Sequence, residues 1–361
     1  MSIEIQSNLF ENISTFEHEQ IVHCYCKDTG LKAIIAVHDT TLGPSLGGTR
    51  VWNYTHEAEA LNDVLRLSRG MTYKSSISGI NLGGGKAVII ADENVKRDEF
   101  FWRRYGKFVD KLSGKYITAE DVGTSTKEIE YISLETKHVS GKPVFLGGGG
   151  DPSPFTAYGV YLAMKASWKK ITGSESLQNV HIAVQGTGHV GQYLIDLLAK
   201  ENAKISIADI NAQNIALVTS KHNVQVVDPN EIAKMECDIY APCALGATVN
   251  SASIDQLKCK VICGAANNQL KDELLDGNAV MQRGILYAPD FLINAGGVIN
   301  CYSEVLGNYS KEQTMSLTDM IYNRVLEIYL KSEIEKINTQ QAAISIAKER
   351  IEKAKNLNAK W

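Results

Sequence analysis

The stretch VHIAVQGTGHVGQYLIDLLAKENAKISIAD, residues 180–209, decides the architecture of this chain. It reads as strand, tight turn, amphipathic helix and second strand within thirty residues. Its turn, Gly186-Thr187-Gly188-His189-Val190-Gly191, matches G-x-G-x-x-G. Alone that match is weak, because glycines cluster at turns. Here a strand enters it and a helix leaves it, which is the context a dinucleotide site requires. The glycines let the backbone turn and approach a pyrophosphate, which then sits at a helix N-terminus. Asp209 ends the second strand, where a carboxylate accepts the ribose hydroxyls. Ile210 and Asn211, its successors, supply no arginine for a 2′-phosphate, so the spacing predicts NAD rather than NADP. A glycine turn followed by a solvated aspartate is the bland alternative, and it explains none of this order.

Outward from this unit, DIYAPCA, KVICGAAN and GILYAPD are further short apolar runs that suit buried parallel strands. From about residue 311 the sequence turns helical and charged, without glycine or proline. Toward the N-terminus, FLGGGGDPSP (145–154) cannot continue a helix or a strand and reads as an inter-domain hinge. Ahead of it, LKAIIAVHD (31–39) and KAVIIAD (86–92) are β-rich. EAEALNDVLRLSRGM (57–71) carries Leu61, Val64, Leu65 and Leu67 at near-helical spacing. A two-lobed α/β protein follows, with a mixed α/β lobe first and the doubly wound lobe second.

The 361 residues exceed one ordinary core, and 44% apolar with 22% charged residues is the composition of a soluble globular enzyme. A net charge of −4 leaves no electrostatic footprint for nucleic acid. No segment approaches the roughly 20 apolar residues of a membrane span. The acidic N-terminus MSIEIQSNLFENISTFEHEQ lacks the basic-then-apolar pattern of a secretion signal. Seven cysteines with no Cys-x-x-Cys pair argue against a disulfide framework or a zinc site, and the expected location is cytoplasmic, with no metal.

The first lobe contains GMTYKSSISGINLGGGKAVIIAD, residues 70–92. It is not a Walker A loop: Ile80 stands where the first glycine belongs, and Ala87 where the metal-binding hydroxyl belongs. Oxidising an amine carbon by hydride loss needs a base and an anion clamp. A lysine becomes a base near neutral pH when burial or a second cation pulls its pKa down. Lys86 suits that base, with neighbouring glycines admitting a flat ring or substrate. Lys74 suits the clamp for a carboxylate, and its charge would help depress Lys86. Asp121 of AEDVGT offers a carboxylate for proton shuttling. Taken singly, either lysine reads equally well as a solvated surface residue.

KAIIAVHDTTLGPSLGGTR, RLSRGMTYK, NLGGGKAVII, YITAEDVGT, IAVQGTGHVG, CDIYAPCALGATVN, ANNQL and YAPDFLINAGGVIN together resemble the glutamate, leucine, phenylalanine and valine dehydrogenase family, most of all its leucine-acting branch. The resemblance runs almost end to end. It implies a substrate-binding and oligomerisation domain over residues 1–145 and a Rossmann NAD-binding domain over 146–334. A cleft separates the two, and the terminal helix, 335–361, packs back on the first. It implies Lys86 as catalytic lysine, Lys74 on the α-carboxylate with the backbone of Gly47 and Gly48, and Asp121 on the amino-group proton. Asn268 lies near the reacting carbon, and Thr156 on the nicotinamide amide. The reaction implied is reversible oxidative deamination of an L-amino acid to a 2-oxo acid, ammonia and NADH, by a homo-oligomer, commonly an octamer.

Leu46 aligns where glutamate-specific members carry a lysine, so a charged substrate side chain would be buried unpaired. Ala119, Val298 and Cys301 align with the rest of the side-chain pocket, leaving room for leucine, valine or isoleucine. Two positions depart from the leucine-acting pattern, Cys301 replacing valine and Asp151 replacing asparagine. The first leaves phenylalanine or another apolar amino acid open as the substrate. Gly43-Pro44-Ser45-Leu46-Gly47 matches the hydrolase elbow G-x-S-x-G, but β-like sequence follows where a helix is required. Two other functions remain, a 2-hydroxy-acid dehydrogenase, which needs a histidine–carboxylate pair, and a non-catalytic NADH-responsive binding protein.

Overall fold

The computed structural model describes residues 9–358; residues 1–8 of the N-terminal stretch, and 359–361 of the terminal helix, lie outside it. The chain divides into two compact units. The first gathers residues 1–151, 301–311 and 348–361, and the second 152–300 and 312–347. The first unit therefore draws on three stretches of chain, one of them, 301–311, within the span the sequence suggested for the second.

The first unit runs α1 (Leu9–Phe16), β1 (Gln20–Cys26), β2 (Leu31–Asp39), β3 (Ser45–Trp52), α2 (Glu57–Ile77), β4 (Gly83–Ile90), α3 (Glu99–Asp110), β5 (Tyr116–Glu120) and α4 (Thr126–Ser133). Its sheet has the order β1-β2-β4-β3-β5. β2 is antiparallel to β1 and β4, whereas β3 runs parallel to β4 and β5. Alternation along β2 sorts the two faces. Ala33, Ile35 and Val37 join a cluster with Phe101, Trp102, Tyr105 and Ile132, from α3 and α4. Ile34 and Ala36 join Val88 and the α2 residues Ala60, Val64 and Leu65. α2 runs six residues past the apolar pattern, its last turns polar.

The second unit contains α5 (Ser153–Thr172), β6 (His181–Gln185), α6 (His189–Lys200), β7 (Lys204–Ala208), α7 (Ala212–Thr219), β8 (Gln225–Val226), β9 (Ile239–Pro242), β10 (Val261–Ile262), α8 (Leu275–Gln282), β11 (Leu286–Tyr287) and α9 (Asp290–Ile293). The order β11-β10-β9-β6-β7-β8, with every pair parallel, is a doubly wound sheet. The winding reverses between β6 and β9, and ligands bind such sheets in the crevice beyond the strand ends there. α10 (Gly296–Val305), α11 (Lys311–Glu335) and α12 (Thr339–Asn358) complete the chain, each carrying residues of both units.

The charged end of α12 is not wholly a solvated face. Within the first unit Arg350 donates to the carbonyls of Ser76, Gly79 and Ile80 and to Asn81 Oδ1, capping the end of α2. All seven cysteines are free thiols, and burial pushes Cys24 and Cys259 up to about 11, where they are inert. Among the described residues no helix is long and apolar enough to cross a membrane, and no group of three acidic, histidine or cysteine side chains is placed to hold a metal.

Candidate active site

In the first unit the register of β3, β4 and β5 puts Leu46, Gly48, Arg50, Lys86 and Ala119 on one sheet face, the face covered by α2. Lys86 is 6% exposed, and its Nζ lies 2.9 Å from Asp121 Oδ2. Arg50 Nε binds the same oxygen at 2.9 Å, while its Nη1 binds Asp63 Oδ2, also at 2.9 Å. Tyr54 donates to that Asp63 oxygen at 2.8 Å. Thr124 Oγ1 accepts the Asp121 N–H at 2.8 Å, fixing the loop that presents the carboxylate.

The electrostatics follow from this packing. Burial is the largest influence on Lys86 and lowers its pKa; Arg50 lowers it further, and the opposing pull of Asp121 does not restore the ordinary value. Burial alone would raise the Asp121 carboxyl, but Lys86 and Arg50 together hold it below the usual range. Arg50 is thus a cation that depresses Lys86, one the sequence reading did not single out beside Lys74. Arg50 was legible: Leu46, Gly48 and Arg50 alternate on one strand, so they share a face.

The glycines have a different role from the one expected. A Cβ on Gly84 would stand 2.2 Å from the Thr72 backbone nitrogen, and one on Gly83 2.0 Å from the Asp39 carbonyl. These glycines let α2 and a neighbouring strand close onto β4, so chain fills the space beside them where a ring or substrate was expected. Gly47 and Gly48 are buried likewise, with Cβ positions 1.7 Å from the Gly85 carbonyl and 2.2 Å from that of Glu120. Tyr116 donates to the Gly47 carbonyl at 2.6 Å.

Lys74 occupies the last turn of α2. The Cys301 thiol lies within electrostatic reach of Lys74, and burial chiefly pushes it up to about 11. Glu120, beside Asp121, is raised to about 7 by burial and by the charges of Glu128, Asp151 and Glu304. Ser45, the elbow serine, opens β3 and donates to the Lys115 carbonyl at 2.6 Å. No helix follows it, and the hydrolase reading fails.

In the second unit the three glycines of the turn divide the work. Gly186 has φ of +104°, and a Cβ there would meet Ala244 at 2.7 Å. Gly191 lies so close beneath that its Cβ would stand 2.2 Å from the Gly186 carbonyl. Gly188, the N-cap of α6, has open space where its Cβ would be, and this is the side a pyrophosphate needs. His189 and Val190 begin α6, and Thr187 is buried.

Asp209 Oδ2 accepts from the Thr187 N–H at 2.6 Å and its hydroxyl at 2.9 Å, and Oδ1 from the Asn211 N–H at 2.8 Å. Burial alone would raise this carboxyl, yet the N–H groups of Asn211 and Thr187 keep it below the usual range, so it is ionised. Thr156 lies in the first turn of α5, its hydroxyl on the Pro152 carbonyl at 3.2 Å. Asn268 is exposed at φ +51°, in a turn whose carbonyl accepts from Ala247 N at 2.7 Å. Val298 is buried in α10. Of the residues expected around the substrate side chain, Leu46, Ala119 and Cys301 belong to the first unit and Val298 to the second.

Residues 18–138 match the family profile described as Glu/Leu/Phe/Val dehydrogenase, dimerisation domain. Residues 147–213 and 206–358 match Glutamate/Leucine/Phenylalanine/Valine dehydrogenase. The chain is 49% identical to a leucine dehydrogenase of Geobacillus stearothermophilus, over 95% of this chain and 93% of the relative. It is 43% identical to a phenylalanine dehydrogenase of Bacillus thermotolerans, over 95% and 90%. The crystal structure of L-tryptophan dehydrogenase from Nostoc punctiforme superposes with a TM-score of 0.86 at 41% identity, covering 96% of this chain and all of that one. With a buried lysine–aspartate pair in one unit and a dinucleotide turn in the other, the chain belongs to the glutamate/leucine/phenylalanine/valine dehydrogenase family of amino-acid dehydrogenases.

Proposed function

We propose that the protein deaminates branched aliphatic L-amino acids oxidatively, with leucine preferred and valine and isoleucine accepted, using NAD. The observation that carries the reading is the buried Lys86–Asp121 pair, depressed by Arg50, in a chain 49% identical to a leucine dehydrogenase. The turn shaped by Gly186 and Gly191 would hold the pyrophosphate at Gly188, at the start of α6, Asp209 would hold the ribose and Thr156 the nicotinamide amide. When bound, the nicotinamide accepts the hydride from the substrate Cα.

The chain's own residues do the rest. Lys74 pairs with the α-carboxylate, and Asp121 takes a proton from the amino group. Lys86, its pKa lowered chiefly by burial, removes a proton from the water that attacks the iminium carbon. Collapse of the resulting carbinolamine gives the 2-oxo acid and ammonia, with Asn268 beside the reacting carbon. Leu46, Ala119, Val298 and Cys301 exclude a charged side chain, because burying it unpaired is costly. Three of Asp209's roughly four acceptor sites are already filled within the chain, so a ribose hydroxyl would share or displace them.

The profile's description, a dimerisation domain, supports a homo-oligomer, and seven free thiols support a reducing, cytoplasmic location. The substrate is a small molecule. The test is a screen of L-amino acids with NAD at alkaline pH, read by NADH absorbance. Strong activity on leucine, valine and isoleucine with almost none on glutamate is expected. Preference for phenylalanine or tryptophan would move the substrate and keep the reaction. No turnover on any amino acid would leave the NADH-responsive binding protein.

A further inference from the structure

The chain leaves the first unit after Asp151 and re-enters it at Cys301. Glu304 follows that re-entry by one helical turn of α10, on the same side of the helix as Cys301. Its carboxylate is only 3% exposed. Oε2 accepts from Gly141 N at 2.9 Å, Gly149 N at 3.3 Å and Ser140 Oγ at 3.3 Å. Oε1 accepts from Lys142 N at 3.4 Å and faces Lys142 Nζ at 3.7 Å. Ser140 Oγ also reaches the Cys301 carbonyl at 3.3 Å.

These donors all come from residues 140–149, the segment just before the chain leaves the unit. Gly148 is packed within the stretch that the sequence marked as an inter-domain hinge, while Val144, Phe145 and Leu146 beside it stand exposed. A Cβ on Gly148 would fall 1.7 Å from the Lys142 carbonyl. A buried carboxylate is tolerated only when its lone pairs are filled, and a well-packed apolar residue is often as stable. A carboxylate held here by several donors therefore points to geometry rather than stability.

We propose that Glu304 is a positioning residue for the substrate's side-chain pocket, pinning residues 140–149 to α10 and so setting where the Cys301 side chain stands. This rests on the reading that Cys301 lines that pocket. The test compares full-length wild type, Glu304→Gln, Glu304→Asp and Cys301→Val. The measurements are kcat and KM for leucine and phenylalanine, with NADH affinity by fluorescence titration.

Glu304→Gln presents an N–H₂ to donors that need an acceptor. It should raise the leucine KM and change the leucine-to-phenylalanine ratio of kcat/KM by at least about threefold, less than the roughly 10- to 200-fold that a one-methylene change in a pocket produces. NADH affinity should stay put. Glu304→Asp, which keeps the charge on a shorter arm, should give a smaller change of the same sign. A folded Glu304→Gln with unaltered KM and ratio, beside a Cys301→Val that does shift the ratio, overturns the proposal and spares the pocket reading. If neither variant shifts the ratio, the pocket reading has failed and the proposal with it. Should Glu304→Gln not fold, an unchanged ratio in Glu304→Asp overturns it.

Discussion

Replacing Arg50 with alanine separates the two cations that share Asp121. Arg50 Nε and Lys86 Nζ each lie 2.9 Å from Asp121 Oδ2, so the two nitrogens stand no farther apart than twice that distance. Two unit charges about 5 Å apart repel by about 3 kcal/mol at the effective dielectric constant of about 20 that suits buried sites. Losing that repulsion raises the Lys86 pKa. Losing Arg50 also leaves Asp121 to Lys86 alone, which raises the lysine further, so both effects have one sign. A general base works when deprotonated; a higher pKa moves the acidic limb of kcat/KM toward alkaline pH. The assay is the variant-to-wild-type ratio of kcat/KM for leucine between pH 7 and 11, in which the substrate's own ionisation cancels. The ratio should be at least about tenfold down on the acidic limb and recover at high pH. A ratio flat across that range would refute the idea that Arg50 tunes Lys86.

Lys86→Ala should lower kcat at least about 100-fold at every pH, the scale of general-base loss, with NADH affinity nearly unchanged; near-normal turnover removes Lys86 from the mechanism. NAD should be preferred over NADP, since the ionised Asp209 carboxylate repels a 2′-phosphate by about tenfold or more, and the ratio of kcat/KM for the two cofactors measures it. Asp209→Asn should narrow that ratio; an unchanged ratio shows that the carboxylate does not read the ribose. His18 and His38, packed edge to face and bonded to Ser68 and Thr72 of α2, are lowered to about 3 and about 4, chiefly by burial. The unfolded chain binds protons there first, so stability falls as pH drops from about 6.5 toward 4. His38→Gln should flatten that part of the melting-temperature profile, and a slope identical to wild type would count against the buried pair as its source.

The strands and helices that repeat a simple period were legible. β2 occupies the β-rich stretch 31–39, and the turn before α6 was identified by what surrounds its glycines. The end of α2 was not, because Thr72, Lys74, Ser75 and Ser76 interrupt the apolar stripe. Those polar residues are there because the helix end packs on backbone and on histidines. Thr72 bonds His38 at 2.8 Å, and Arg350 covers the last carbonyls from more than 270 residues away. Glu304 was missed for the same reason, since its partners lie about 160 residues upstream and leave no local pattern.

The glycines show where a motif-level argument stops. Three consecutive glycines ahead of a lysine invite a ligand-facing explanation, and sequence alone does not say toward which atoms the absent Cβ would point. Around Gly186 and Gly188 one position faces packed chain and the other faces open space, and only the second is free to receive a ligand. Around Gly83 and Gly84 the absent side chains would meet the carbonyl of Asp39 and the backbone of α2. There the glycines act indirectly: they let helix and strand close together, the closure buries Lys86, and burial is the largest influence lowering its pKa. The run that first looked like a phosphate cradle thus acts on the proposed base through the dielectric around one lysine. An alanine at Gly84 should therefore disturb the base before it disturbs any ligand contact.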